Sequence, residues 1–187
     1  MKAVVMAAGD GKRMRPMTET RPKVMLPVAG KPILEHILID LKKAGIDEAI
    51  LVVKHNKEKI IEYFTPKQEE LGIKINFVEQ GDEMGTAYAI LTAEKEINGA
   101  FVAIAGDIIT DYENISKIIK EHTGNITLGV KKVRNPHEYG IVEITDGKVS
   151  LFQEKPKNPK TELANLSIYC MEPGIFEIGR ASCRERV

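Results

Sequence analysis

Apolar and polar positions alternate along this chain in blocks of two kinds. "KAVVMAA" is a short, continuous apolar run that predicts a buried strand. "PILEHILIDLKKAG" then sets Ile33, Leu34, Ile37, Leu38, Leu41 and Ala44 on one helical face, opening after Pro32 and closing at Gly45. That βα unit recurs: strand "AILVVK" with helix "KEKIIEYF", strand "IKINFVE" with helix "GTAYAILTAEKEI", strand "AFVAIA" with helix "YENISKIIKEH", and then strand "NITLGVKKV". The alternation predicts an α/β fold, a doubly wound, mainly parallel, Rossmann-like sheet covered by helices on both faces, with ligands outside the carboxyl ends of its strands. From Tyr139 the texture changes to "YGIVEI", "GKVSLFQEKP" and "ANLSIYCM", separated by Asp146-Gly147 and by "PKNPKTE". These pieces predict a small, partly antiparallel lid over the same edge.

Composition narrows the functional classes. The chain has 187 residues, 43% hydrophobic and 29% charged, enough for one domain with a sizeable core. Its 27 basic and 27 acidic side chains cancel and Trp is absent, which argues against nonspecific nucleic-acid binding. "MKAVVMAAG" turns polar too quickly for a signal peptide, and no apolar run approaches a membrane span, so no membrane partner and a cytoplasmic location are expected. Cys170 and Cys183 offer neither a metal-ligand spacing nor a disulfide framework.

The last ten residues, "IGRASCRERV", are what the codons ATC GGA AGA GCG TCG TGT AGG GAA AGA GTG encode, a string resembling a sequencing adapter. The expected organisation is therefore one domain over 1–177, incomplete at its C-terminus, with 178–187 a non-native tail.

Against that neutral background, the loop after the first strand gathers Lys12, Arg13, Arg15, Arg21 and Lys23 behind Gly9 and Gly11. A dinucleotide fingerprint fails, because G-x-G-x-x-G would need glycine where Met14 stands; a P-loop fails, because Gly11-Lys12 is followed by Arg13 rather than Ser or Thr. What remains still suits a polyphosphate. Glycine permits a bend whose successive N–H groups face phosphate oxygens, Arg13 offers a planar fork and Lys23 a point charge. A polar βα loop with scattered cations is the plainer alternative.

"AAGDGKRMRPMTETRPKVMLPVAGKPILEH", followed in order by "EQGDEMGTAYAI", "AGDII", "EYGIVEI", "FQEKP" and "NLSIYC", resembles the sugar-1-phosphate nucleotidylyltransferases, which include glucose-1-phosphate thymidylyltransferases and N-acetylglucosamine-1-phosphate uridylyltransferases. The resemblance implies the nucleotide-diphospho-sugar transferase fold. It also implies transfer of a nucleoside monophosphate from a nucleoside triphosphate to a sugar 1-phosphate, with release of pyrophosphate and a requirement for Mg²⁺. Carried over by position, Arg13, Lys23 and Asp107 are catalytic, and Asp107, in "VAIAGD", is the metal ligand. Ala7, Ala8, Gly9, Gly11, Gln80, Gly85 and Thr86 bind the nucleotide, while Gly140, Glu154, Lys155 and Asn165 bind the sugar phosphate. An amide at Gln80 can both donate to and accept from a pyrimidine, which favours UTP or dTTP. The resemblance further implies a second metal carboxylate beyond this chain and leaves a homo-oligomer of the intact protein open.

Several readings compete with these roles. Asp107 alone could be a turn aspartate after Gly106, Gln80 a solvated strand end, Gly85-Thr86 a helix start and "QEKP" a charged turn. Thr110-Asp111-Tyr112-Glu113 fits a capping box, making Asp111 and Glu113 structural. Where the family usually has Asn-x-Gly, this chain has Asn165-Leu166-Ser167, which weakens the contact at Asn165. His36, His55, His122 and His137 have no spacing for a metal or triad, and Met6, Met14, Met17, Met25 and Met84 read as core or pocket wall. A guanylyl- or cytidylyltransferase on the same fold, or a non-catalytic nucleotide-sugar-binding domain, remains the alternative.

Overall fold

The computed structural model describes residues 1–82 and 85–178. The expected tail lies outside the described residues except for Ile178, as does Met84. Each βα alternation in the sequence becomes a real element: β1 (Lys2–Met6), α1 (Ile33–Lys43), β4 (Glu48–Val53), α2 (Lys57–Phe64), α3 (Gln68–Leu71), β5 (Lys74–Glu79), α4 (Thr86–Thr92), β6 (Phe101–Ala105) and α5 (Tyr112–Lys120). A two-stranded ribbon, β2 (Pro27–Val28) with β3 (Lys31–Pro32), precedes α1. The chain then continues through β7 (Ile126–Lys132), β8 (Gly140–Thr145), β9 (Lys148–Glu154) and β10 (Leu163–Met171).

Strands β5, β4, β1 and β6 lie side by side and parallel, in that order. Because β4 and β5 build out on one side of β1 and β6 on the other, the loops leaving β1 and β6 diverge and open a crevice at their carboxyl ends. The antiparallel elements join this same sheet. β10 runs antiparallel beside β6, with Ile168 opposite Ile104, and pairs in turn with β7 and β8; the β8–β9 hairpin forms the far edge. They extend the sheet rather than lie over its edge, because β10 satisfies the backbone groups that β6 would otherwise leave open.

Period-two alternation divides the core into two layers. Ala3, Val5, Ala49, Leu51, Val53, Val102 and Ile104 meet α1, α2, α3 and α5 on one face. Val4, Ile50, Val52, Phe101 and Ala103 meet α4 and Phe176 on the other. Phe176 stacks on Phe101 with centroids 5.5 Å apart. Helix α1 ends as its sequence requires, since Gly45 takes φ 86°, a left-handed conformation that glycine adopts without cost. Helix α5 begins one residue later than the capping pattern predicts. Asp111, not Thr110, is the N-cap, its Oδ1 accepting from Asn114 N at 2.9 Å; an aspartate in extended backbone is as good a cap as threonine, and it leaves Glu113 in the first turn. Among the described residues no helix is long and apolar enough to cross a membrane.

One buried charge ties the helices of the first face together. Glu35 of α1 is fully buried, accepting from Tyr63 Oη at 2.8 Å and Lys67 Nζ at 3.1 Å, with Lys31 Nζ 3.2 Å from its other oxygen. Burial is the largest single influence and pushes its pKa up, but the bonds from Tyr63, Lys67 and Lys31 together outweigh it and leave the carboxyl below its ordinary value. A depressed folded-state pKa contributes stability that is present above the unfolded value, about 4.3, and lost as pH falls through the folded value. Unfolding free energy should therefore drop on acidification below about pH 4.3, and Glu35→Gln should flatten that limb while costing about 1–3 kcal/mol at pH 7, as read by urea titrations at several pH values.

Candidate functional site

The crevice predicted by strand order holds a cavity of about 480 Å³, walled by the loop after β1, the Lys23–Met25 turn and the end of β6. Gly9, Gly11, Arg13, Lys23 and Asp107, expected to act on phosphates, all line it, together with Lys12, Met6 and Met14. Gly11 sits at φ 61° and opens a single 3₁₀ turn over Lys12–Met14. The N–H groups of Gly9 to Arg13 donate to no backbone carbonyl among the described residues; a run of unspent donors is what an anion-binding loop presents.

Two contacts hold the loop in this shape. Thr18, buried at 7% exposure, donates its hydroxyl to Gly11 O at 2.8 Å, and a Cβ on Gly11 would come within 2.9 Å of Thr18 Cγ2. Asp10 pairs its carboxylate with Lys12, 3.3 Å away, and with His55 beyond β4. The loop's own negative charge is thereby neutralised, and His55 gains a partner that spacing alone did not reveal. Arg13 stays exposed, with no hydrogen bond or ion pair to the described residues.

Lys23 and Asp107, 84 positions apart in sequence, meet at 2.6 Å between Nζ and Oδ2. Their side chains are 29% and 38% exposed, so the pair faces the cavity without being sealed from solvent. Gly106 sets this approach. Its N–H donates to Met6 O at 2.9 Å, and a Cβ there would stand 2.9 Å from that same carbonyl and 3.1 Å from Val24.

A second cavity of about 240 Å³ adjoins the first, sharing Met6 and Gly9. Ala8, Gln80, Gly85 and Thr86 line it, which gathers the remaining nucleotide residues apart from Ala7. Ala7 is buried beneath, its N–H spent on Val52 O at 2.8 Å. Gln80 is 6% exposed at the end of β5, and Lys54 Nζ bonds Gly81 O at 2.6 Å, fixing the chain just after it. Thr86 begins α4 after Gly85, whose φ of 121° no L residue holds comfortably.

The sugar-phosphate residues lie outside both cavities. Gly140 and Glu154 are register partners at the base of the β8–β9 hairpin, and a Cβ on Gly140 would press on Phe152 and on the Glu154 carboxylate. Lys155 follows at φ 44°, its N–H on Tyr139 O at 3.0 Å. Asn165 spends its amide within β10, donating to Tyr169 Oη at 2.6 Å and accepting from Ser167 N at 3.1 Å. Ser167, the departure from Asn-x-Gly, adopts φ 56° and does line the smaller cavity.

Thr18, Gly106, Ser167 and the Asp10–His55 pair support the two cavities, a role that residue patterns did not assign to them. Thr18, Asp10, Gly106 and Ser167 stood only as letters inside quoted motifs, and His55 stood outside them. Among the described residues no group of three or more His, Cys, Asp or Glu converges on a metal position.

Residues 2–186 match the nucleotidyl transferase family. The chain is 41% identical over 179 residues to the bifunctional protein GlmU of Methanocaldococcus jannaschii, an alignment covering 95% of this chain and 41% of that protein. It is 35% identical over 182 residues to the UTP–glucose-1-phosphate uridylyltransferase AglF of Haloferax volcanii, covering 94% and 74%. The fold superposes on a UDP-glucose pyrophosphorylase complexed with UDP-glucose with a TM-score of 0.82 at 26% identity, covering 96% of this chain and 78% of that one. The chain thus spans about two fifths of the archaeal GlmU relatives it matches. With the family match running through nearly every residue, this chain belongs to the nucleotidyl transferase family.

Proposed function

We propose that this protein transfers a nucleoside monophosphate from UTP or dTTP to glucose 1-phosphate or N-acetylglucosamine 1-phosphate, forming a nucleotide sugar and releasing pyrophosphate. The observation that carries the reading is the convergence of Arg13, Lys23, Asp107 and the unspent N–H groups of Gly9 to Arg13 on one cavity that adjoins a second one lined by Gln80 and Thr86. A triphosphate needs the first and its base the second. The relative named for UTP and glucose 1-phosphate supports the same substrate class. A cytoplasmic location goes with these substrates and belongs to the proposal.

The chemistry is an in-line displacement. An oxygen of the sugar phosphate attacks the α-phosphorus, the bond from that phosphorus to the bridging oxygen of the β-phosphate breaks, and pyrophosphate leaves with the electron pair. Two anions must be brought together, so positioning and charge neutralisation carry the catalysis and no protein nucleophile is required. Arg13, with its guanidinium unspent, grips the triphosphate and the charge that develops on pyrophosphate. Lys23, 2.6 Å from Asp107, stands where it neutralises oxygens of the reacting phosphates. Asp107 supplies one exposed carboxylate at the cavity wall, which fits Mg²⁺, an ion commonly held by one or two carboxylates with nucleotide oxygens and water completing its shell. When bound there, Mg²⁺ supplies further charge neutralisation on the phosphates. Glu154 and Lys155 at the hairpin base and Asn165 on β10 are the proposed sugar-phosphate contacts.

The test is a nucleotide panel with glucose, N-acetylglucosamine and mannose 1-phosphates, followed by pyrophosphate release. UTP and dTTP should be used well above ATP and GTP, and Gln80→Ala should flatten the preference. Equal use of GTP by the unaltered protein would replace the pyrimidine reading with a guanylyltransferase.

A further inference from the structure

We infer that Ser167 is a specificity-determining residue, whose hydroxyl hydrogen-bonds a ring hydroxyl of a bound sugar, either the ribose of the nucleotide or the hexose of the sugar phosphate. The inference rests on the functional reading above and adds to it a recognition element at a position where that reading had none.

Ser167 is held in a costly conformation. At φ 56° it lies in the left-handed region, which glycine occupies freely and which disfavours a residue with a Cβ. The cause is a register shift in β10, where pairing with β7 breaks between Asn165 and Tyr169. Asn165 closes the irregular segment by accepting from Ser167 N at 3.1 Å while donating to Tyr169 Oη at 2.6 Å. Backbone geometry alone would call for glycine here. A strained non-glycine residue that persists in a fully determined bulge points to a use for its side chain.

The bulge also decides where that side chain goes. Leu166 and Ile168 pack into the layer under α1 and α5, whereas Tyr169 belongs to the opposite layer. Ser167 falls on the α4 side, and it lines the smaller cavity with Gln80, Thr86 and Ala105. Ile168 is opposite Ile104 on β6, which puts Ser167 beside the end of that strand, close to the Gly106–Asp107 turn. In strand order β10 lies beyond β6, so Ser167 stands on the far side of the Gly106–Asp107 turn from Gln80 while sharing the smaller cavity with that amide, where a sugar ring joined to the phosphates comes within its reach. Among the described residues, the Ser167 hydroxyl has no hydrogen-bond partner. Apart from Gln80 and Thr86, the other side chains lining that cavity, Met6, Ala8, Ala89 and Ala105, offer no hydroxyl or amide, so Ser167 is one of three side-chain groups there that can hydrogen-bond a ligand hydroxyl.

The experiment compares the unaltered chain with Ser167→Gly and Ser167→Ala by thermal melting and by calorimetric binding. The ligands are UTP, its 2′-deoxy and 3′-deoxy analogues, glucose 1-phosphate, and glucose 1-phosphate deoxygenated in turn at each ring hydroxyl. Ser167→Gly relieves the strain, so its Tm should not fall and should rise by as much as about 2–4 °C. Both variants should bind one of the two parent ligands about five- to tenfold more weakly, the loss of one hydrogen bond. The unaltered chain should show the same loss for one deoxy analogue of that ligand, and variant and analogue together should cost no more than either alone. A loss confined to UTP assigns the contact to ribose, and one confined to the sugar phosphate assigns it to hexose. Undiminished binding of every ligand by both variants overturns the proposal, as does a large fall in Tm for Ser167→Gly, which would make the hydroxyl structural. If the unaltered chain binds none of UTP, dTTP, glucose 1-phosphate and N-acetylglucosamine 1-phosphate, the functional reading itself falls, and this inference with it.

Discussion

Asp107→Asn abolishes turnover by about 10²–10³-fold or more while leaving nucleotide binding measured without Mg²⁺ nearly unchanged; this is the expected result with the largest functional effect. The substitution keeps shape and removes one negative charge from the cavity wall, where Asp107 stands 2.6 Å from Lys23. Two groups lose their partner at once. Lys23 no longer has a carboxylate to orient its ammonium, and the phosphates lose the side chain that would share a divalent cation with them. The triphosphate loop is untouched, since Gly9, Gly11 and Arg13 come from β1 and the turn after it rather than from β6. Affinity in the absence of metal should therefore persist, and removal of one anion could even tighten it. Pyrophosphate release at saturating substrate, set beside calorimetric binding in chelator, separates the two effects. Near-normal turnover of Asp107→Asn would remove Asp107 from the reaction. Arg13→Ala should differ in kind, losing both affinity and turnover, because its guanidinium has no hydrogen-bond or ion-pair partner among the described residues and its proposed work is with the ligand.

Gly106→Ala should produce the largest loss of stability for a single added methyl group, about 1–3 kcal/mol in a urea titration. The new Cβ would stand 2.9 Å from Met6 O, a backbone atom of the central strand, and 3.1 Å from Val24 in the core. Neither can give way cheaply, because Met6 O also receives Gly106 N at 2.9 Å and anchors the β1–β6 crevice. Relief requires the ends of β1 and β6 to part, which moves the Gly9 loop from Asp107. Gly9→Ala makes the contrast. A Cβ there meets nothing within 4 Å, so the fold should keep its stability and any loss should appear in triphosphate affinity, where a phosphate approaches the backbone. A Gly106→Ala protein as stable as its parent would show that the two strand ends are less tightly joined than this contact implies.

The βα alternation was legible because it is a local signal. The apolar run of β1 and the six-residue face of α1 are written in periods of neighbouring side chains, and burial then follows the same periods. The same holds for the loop after β1, where two glycines and a cluster of cations in a neutral chain pointed to the segment that the structure places around the larger cavity. The antiparallel pieces were legible as strands but not as members of the main sheet. Which edge a strand joins depends on the open backbone groups of β6, and nothing in "ANLSIYCM" encodes those. The one-residue shift of the α5 cap has a similar origin, since Thr110 and Asp111 are both competent caps and the path of the chain leaving β6 chose between them.

What the sequence by itself determined is thus the order of the elements, the two-layered core, the composition of the loop after β1 and, through ordered motifs, the family. What only the tertiary structure decided is every relation across the chain: Lys23 against Asp107, Thr18 on Gly11, His55 on Asp10, Gly106 wedged against Met6, and Ser167 in a left-handed bulge beside the smaller cavity. The physical reason is separation. Periodicity reports which face a residue turns to the core, whereas the meeting of Lys23 and Asp107, 84 residues apart, is fixed by strand order and by the close approach of two strand ends that a glycine without a side chain permits.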